Sequence, residues 1–370
     1  MTDWSRIVVP GLAELEPLDI ERTVSDVLLL EARSEGMKLD WNESSFGPLP
    51  GVGEAIKEEL ESAWMYPIAP YHHFRADVAR FLWTTQGRIA PGHGTQALIG
   101  TVASTFLRPG DRVVVPEVTF YLYAQVSAAR GAIVHHVPMR DLHIDLPTVA
   151  DTAREVGARL VWICDPNNPT GIALERPEWD DFLAALPPRC VVVADEAYVD
   201  YLPPERRLPR VADVESGRPV VVLRSFSKFY GLAGLRLGYS VADEALVACF
   251  NIVEEPFNVN CLALAAGRAS LRATEAAGRR RREVADARDA LARALLDVGG
   301  EPLPSETNFV LVPVDVDDSL LCERLAARGI LVRAGSELGL PRHVRITVGE
   351  ASQMQRVASE MREASSGPEG

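Results

Sequence analysis

Short runs of apolar, mostly β-branched residues recur through the first two thirds of this sequence, and each stops at a polar or turn-forming stretch. The clearest are Val113-Val114-Val115-Pro116, Leu160-Val161-Trp162-Ile163-Cys164, Cys190-Val191-Val192-Val193-Ala194 and Val220-Val221-Val222-Leu223. Apolar runs this short, bounded by turn signals, predict strands buried on both faces, as in a parallel sheet covered by helices. Open sheets of that kind bind ligands just outside the carboxyl ends of their strands. The chemistry of the chain is therefore expected where these runs end.

The last run leads into Arg224-Ser225-Phe226-Ser227-Lys228-Phe229-Tyr230-Gly231-Leu232-Ala233-Gly234-Leu235-Arg236. A lysine in such a turn has long reach, and desolvation lowers its pKa toward the nucleophilic amine. Such an amine forms a Schiff base with a carbonyl compound or with pyridoxal phosphate. Ser225, Ser227 and Arg236 bring hydroxyls and a fixed cation that suit a phosphate. Taken alone, Lys228 reads as a solvated loop lysine, and the glycines as turn formers; their coincidence with two serines and Arg236 after a strand gives the stretch its weight. Asp195 ends another run. A carboxylate there pairs with a pyridinium nitrogen and keeps the ring an electron sink, or caps a helix.

At 370 residues the chain is too long for one small core. Its net charge of −14 argues against non-specific binding to nucleic acid or to an anionic membrane surface. The five cysteines, Cys164, Cys190, Cys249, Cys261 and Cys322, are odd in number and show no metal or redox spacing. Cys164 and Cys190 lie in apolar runs and are expected to be buried free thiols, which fits a reducing, cytoplasmic setting. No leader pattern and no apolar run long enough to span a bilayer is evident. The adjacent His72 and His73 lack metal-ligand spacing and read as surface or packing residues, so no metal is expected. Arg279-Arg280-Arg281-Arg282 reads as a solvated helix face rather than a nucleic-acid patch, given the acidic total.

Ser-Phe-Ser-Lys-Phe-Tyr-Gly-Leu-Ala-Gly-Leu-Arg-Leu-Gly-Tyr, residues 225–239, resembles the cofactor-lysine signature of the fold-type I pyridoxal-phosphate aminotransferases, and most of all their histidinol-phosphate aminotransferase group. The resemblance extends over about residues 37–360. It implies an α/β fold, with a mainly parallel central sheet flanked by helices and a smaller α+β domain. The expected divisions are an amino-terminal arm (1–36), a large cofactor-binding domain (37–245), a small domain (246–363) and a disordered tail (364–370). The patch Val27-Leu28-Leu29-Leu30 reads as an arm or a helix packing on a partner.

The resemblance implies pyridoxal 5′-phosphate as cofactor, with Lys228 as its lysine and Asp195 as partner of its ring nitrogen. Gly94, Thr95 and Gln96 form the phosphate cup with Ser225, Ser227 and Arg236. Phe120 stacks on the ring, and Asn168 and Tyr198 share the 3-oxygen. Arg345, in His343-Val344-Arg345-Ile346-Thr347-Val348-Gly349, is the clamp for a substrate carboxylate. Arg333 is a second cation for a distal anionic group, and Tyr66 is an active-site residue. Two positions depart from the family pattern. Phe46 stands where relatives carry a tyrosine that reaches the neighbouring subunit's cofactor phosphate; it reads as an interface anchor or as part of that site. Gln96-Ala97 stands where relatives have an Asp-Glu pair. The expected enzyme is a homodimeric aminotransferase working between an amino donor, histidinol phosphate by default, and a 2-oxo acid such as 2-oxoglutarate. The alternatives are a decarboxylase, cyclase or oxidase on the same scaffold, and a non-catalytic binding protein that kept the fold.

Overall fold

The computed structural model describes residues 36–67 and 71–366. The expected amino-terminal arm up to residue 35, with its apolar patch, lies outside the described residues, as do residues 367–370. In chain order the strands are β1 (Met37–Lys38), β2 (Ile89–Gly92), β3 (Arg112–Pro116), β4 (Ile133–Val137), β5 (Leu160–Cys164), β6 (Val191–Asp195), β7 (Val220–Ser225), β8 (Gly238–Val241), β9 (Phe309–Pro313), β10 (Ile330–Leu331), β11 (Arg333–Ala334) and β12 (His343–Thr347). Seven helices bear on the site and its support: α1 (Val52–Leu60), α2 (Gly94–Phe106), α3 (Leu122–Ala129), α4 (Arg210–Glu215), α5 (Glu244–Val253), α6 (Thr274–Asp297) and α7 (Ala351–Ser365).

One seven-stranded sheet runs in the order β2-β8-β7-β6-β5-β3-β4. Strand β8 is antiparallel to β2 and β7, and every other pairing is parallel. The apolar runs are strands because both their faces are covered. Val192, Ala194 and Val222 enter the core on one side of the sheet. Val193, Val221 and Leu223 enter the core on the other. Period-two alternation thus supplies two cores from a single apolar run. Register aligns the carboxyl ends, with Cys164 opposite Asp195 and Asp195 opposite Leu223. Strands β4 and β5 lie on opposite sides of β3, so the winding direction reverses there, at the place where such sheets open a crevice.

A second core lies under the antiparallel sheet β11-β12-β9. Val310, Val312, Val344 and Ile346 pack there with Leu291 and Leu295 of α6 and Met354 and Val357 of α7. Met37 of β1 pairs in parallel with Ile330 of β10, which ties the first described strand to this smaller unit. Helix α6 serves both cores, giving Val284 to the first and Ala287 and Leu291 to the second. The α/β architecture is the one expected from the sequence.

Two expectations change. The arginine run of α6 is not simply solvated. Helical periodicity turns Arg279 and Arg282 outward, while Arg280 is buried and Arg281 half-buried. Arg280 donates to the carbonyls of Gly47 (2.9 Å) and Phe46 (3.0 Å), and Arg281 to that of Asp200 (2.9 Å). Ordered structure also continues past residue 363. Helix α7 runs to Ser365, because Ala364 is buried in the second core and its carbonyl accepts from Arg324 at 2.9 Å. Among the described residues no helix is long and apolar enough to cross a membrane.

Candidate active site

A cavity of about 430 Å³ opens at the carboxyl edge of the large sheet, where it meets the smaller unit. Lys228 enters it from the turn after β7. Its Nζ donates to the Trp41 carbonyl at 2.7 Å. Burial, reinforced by the nearby Arg345 guanidinium, pushes the amine down to about 7, so the nucleophilic form is populated near neutrality. The segment that meets it, Asp40-Trp41-Asn42-Glu43, follows β1 and lines one wall. Asn42 is pinned by the Thr347 hydroxyl, which its amide N–H reaches at 3.0 Å. Asn308 Nδ2 in turn donates to the Asn42 carbonyl at 3.0 Å. Sequence reading missed the part this strap plays, because its contacts join residues that are far apart in the chain.

Asp195, the last residue of β6, is buried beneath the cavity. Burial pushes its carboxyl up to about 6, against hydrogen bonds from the Tyr123 hydroxyl (2.7 Å) and the Ala197 amide (3.0 Å). A buried carboxylate held only by neutral donors suits an incoming cationic N–H. Tyr123 was overlooked in the sequence. The available signal was its position three residues after Phe120, on the first turn of α3. Beneath Asp195 lies a buried ionic network that the sequence did not suggest. Arg210 of α4 meets Asp165 (2.7 Å) and Glu196 (3.1 Å), and Arg224 meets Glu196 at 2.8 Å.

Arg345, on β12, reaches across from the smaller unit. It donates to Asn168 Oδ1 and to the Asp40 carbonyl, each at 2.6 Å, and its buried Nε has no partner. Burial pulls its pKa down to about 10, so an anionic substrate group is the partner that would restore it. With Asn168 Oδ1 taken, the Asn168 amide N–H groups remain to donate. Tyr198 accepts from Asn42 Nδ2 at 2.9 Å, which leaves its own O–H to donate, and burial raises its pKa. Two neutral donors thus face one cavity from neighbouring strand ends.

The phosphate expectation is tested by the amino end of α2. That helix begins at Gly94 (φ 77°) without a side-chain cap, so its first amides are free for an anion. Arg236 stands over it, donating to Gln96 Oε1 at 3.3 Å, and a Cβ on Gly94 would lie 2.7 Å from the guanidinium. Arg236 holds φ 55°, rare for a non-glycine residue. A Cβ on Gly238 would lie 2.9 Å from the Arg224 carbonyl and 3.0 Å from the Thr95 amide. Glycine there lets the helix start approach the β7–β8 pair. Ser225, Ser227, Thr95 and Gln96 complete the cradle, and Phe120 lines the cavity beside Tyr123. Uncapped helix, fixed cation and hydroxyls fit the phosphate of pyridoxal phosphate, and Asp195 and Lys228 fit its ring and aldehyde.

Not every expected residue joins the cavity. Arg333 lines it, but its guanidinium already meets Glu337 at 2.7 Å and lies 5.6 Å over the Trp41 ring. Tyr66 is not brought to the cavity of its own chain. It is 80 % exposed and stacks on Phe257, with centroids 4.8 Å apart. Phe46 packs within its own chain beneath Arg280, 5.4 Å from the guanidinium.

The family model for aminotransferase class I and II matches residues 34–361. A histidinol-phosphate aminotransferase of Moorella thermoacetica is 35 % identical over 356 residues, covering 96 % of this chain and 89 % of the relative. One from Symbiobacterium thermophilum is 35 % identical, covering 96 % and 97 %. Among solved structures, the histidinol-phosphate aminotransferase of Sinorhizobium meliloti in complex with pyridoxal-5′-phosphate superposes with a TM-score of 0.88 at 28 % identity, covering 96 % of each chain. A match over nearly the whole chain, on a fold whose strand ends converge on one lysine-bearing cavity, shows that this chain belongs to the class I and II aminotransferases and is a pyridoxal-phosphate-dependent enzyme.

Proposed function

We propose that the enzyme moves an amino group from histidinol phosphate, or a closely similar amino donor, to a 2-oxo acid such as 2-oxoglutarate. The observation that carries the reading is the meeting of Lys228, Asp195 and Arg345, from three separate segments, around one cavity. Pyridoxal 5′-phosphate, when bound, supplies the aldehyde that takes up the amino group and the ring that accepts electrons from the donor's α-carbon. The α2 amides of Gly94, Thr95 and Gln96, with Ser225, Ser227 and Arg236, hold its phosphate. Phe120 offers a flat face to its ring. Asp195 holds a proton at the ring nitrogen, and Asn168 and Tyr198 donate to the ring oxygen.

Lys228 Nζ, neutral near pH 7, takes the α-proton of the donor and passes it on. Arg345 binds the carboxylate of the acceptor through its spare N–H and fixes the α-carbon within reach of Lys228. The strap at Asp40–Glu43 screens Lys228 from water. Arg333, which lines the cavity, is the second cation for the donor's anionic group and would have to exchange Glu337 for it.

We also assign the working form as a homodimer. Trp64 (81 % exposed), the stacked Tyr66–Phe257 pair and Ile252 of α5 (83 %) leave large apolar side chains bare, a composition that a second copy would cover. Cys164, Cys190 and Cys322 are buried and outside any disulfide, which suits the cytoplasm.

A screen of amino donors against 2-oxoglutarate tests the reaction. Stoichiometric glutamate, with histidinol phosphate the best donor, is expected. Release of carbon dioxide or peroxide without an acceptor would replace transamination by decarboxylation or oxidation on the same scaffold.

A further inference from the structure

Resting on Asp195 as the partner of the cofactor's ring nitrogen, we infer that Tyr123 is a positioning residue that fixes both the direction and the charge of that carboxylate. Tyr123 is fully buried on the first turn of α3 and also borders the cavity. Its hydroxyl donates to Asp195 Oδ2 at 2.7 Å, while the Ala197 amide donates to Oδ1 at 3.0 Å. With one donor on each oxygen, the carboxylate cannot rotate, and its remaining lone pairs keep a set direction.

The phenol itself has no slack. Its ring lies flat on Trp162, with centroids 5.1 Å apart and planes 9° apart. Ser127 ties the pair together: its Oγ accepts from the Trp162 indole at 3.3 Å and donates to the Tyr123 carbonyl at 2.7 Å. The other edge of Tyr123 meets Phe120 at 5.6 Å, nearly perpendicular. Burial and the facing Asp195 hold the phenol well above its ordinary pKa, so it stays a donor. A hydrogen bond to the ionised carboxyl favours the carboxylate over the acid. The groups facing Asp195 are Tyr123 from α3, Glu196 and Tyr198 from its own turn, and Cys164 from the adjacent strand end. None of them is a cation, so the Tyr123 hydroxyl is the main counterweight to burial. Without it, the proton shared between Asp195 and the ring nitrogen shifts toward the carboxylate, and the ring accepts electrons less well.

The test uses the cofactor-loaded enzyme with 15N at the ring nitrogen, read by NMR beside steady-state kinetics. In Tyr123→Phe the nitrogen resonance moves toward the unprotonated value, and kcat falls about tenfold with KM little changed, the equivalent of about one pKa unit at the carboxylate. With 3-fluorotyrosine in place of Tyr123, a more acidic phenol of nearly equal size, the resonance moves the opposite way. Asp195→Asn is the reference. If it moves the resonance while both Tyr123 replacements leave it in place, the role of Tyr123 is refuted. If Asp195→Asn leaves it unmoved, the assignment of Asp195 itself fails, and this inference with it. Should Tyr123→Phe fold poorly by thermal melting, the fluorotyrosine shift decides alone.

Discussion

In the proposed reaction, single residues act through their environments more than through their identities. Lys228 is an ordinary lysine until burial and Arg345 depress its pKa to about 7. In protein depleted of cofactor, the rate of pyridoxal phosphate capture should therefore rise with pH through about 7 and then level off. A midpoint in the usual lysine range near 10 would contradict the environment described for it. The same shift links to stability. Between the two values the unfolded chain binds more protons at this lysine, so its contribution grows as pH rises from about 7 toward about 10 and is lost as pH falls through 7. Arg345→Lys keeps the charge but loses the fork, and should raise KM for the 2-oxo acid about 10- to 100-fold while sparing cofactor binding. Lys228 and Asp195 were singled out in the sequence because each stands at or just beyond the end of an apolar run, and Arg345 because its segment resembles a family motif. Trp41 was not, since its contact with Lys228 spans 187 residues and nothing local announces it.

At the scale of elements, the site depends on how strand ends are held. The turn carrying Asn168 and the turn after Asp195 are joined from below by Arg210, which bridges Asp165 and Glu196. Arg210 is 1 % exposed and lies over the Trp179 ring at 4.1 Å. Its replacement by methionine leaves the buried Asp165 without its cation, while Glu196 keeps Arg224, and should cost about 3–5 kcal/mol of unfolding free energy, read from urea midpoints. A loss under about 1 kcal/mol would mean that the pair is solvated in practice. Gly231→Ala tests a different joint. Gly231 sits at φ 69°, and a Cβ there would lie 2.3 Å from the Gly47 carbonyl. The variant should loosen the strap over Lys228 and weaken cofactor retention, measured by dialysis. Element types were readable from the sequence because apolar runs and glycine turns are local signals. The buried network was not: Asp165, Glu196 and Arg210 each look like surface residues until the fold brings them together. Ala364 likewise reads as tail composition, and only its burial against the second core shows that it ends a helix.

For the molecule as a whole, two units line one cavity: the large sheet brings Lys228, Asp195 and Arg236 to it, and the smaller one brings Arg345. Helix α6 enters both cores, so packing along one helix ties the two units together. The exposed Trp64, Tyr66 and Phe257 lead to an expected dimer mass in sedimentation, and Trp64→Glu combined with Phe257→Glu should shift it toward monomer. The proposed function requires that Lys228 carry the cofactor. Borohydride reduction of the yellow enzyme, followed by peptide mass mapping, tests it most directly. A single stable cofactor adduct is expected on the peptide containing Lys228; an adduct on the other described lysines, Lys38 or Lys57, with Lys228 unmodified would overturn that assignment.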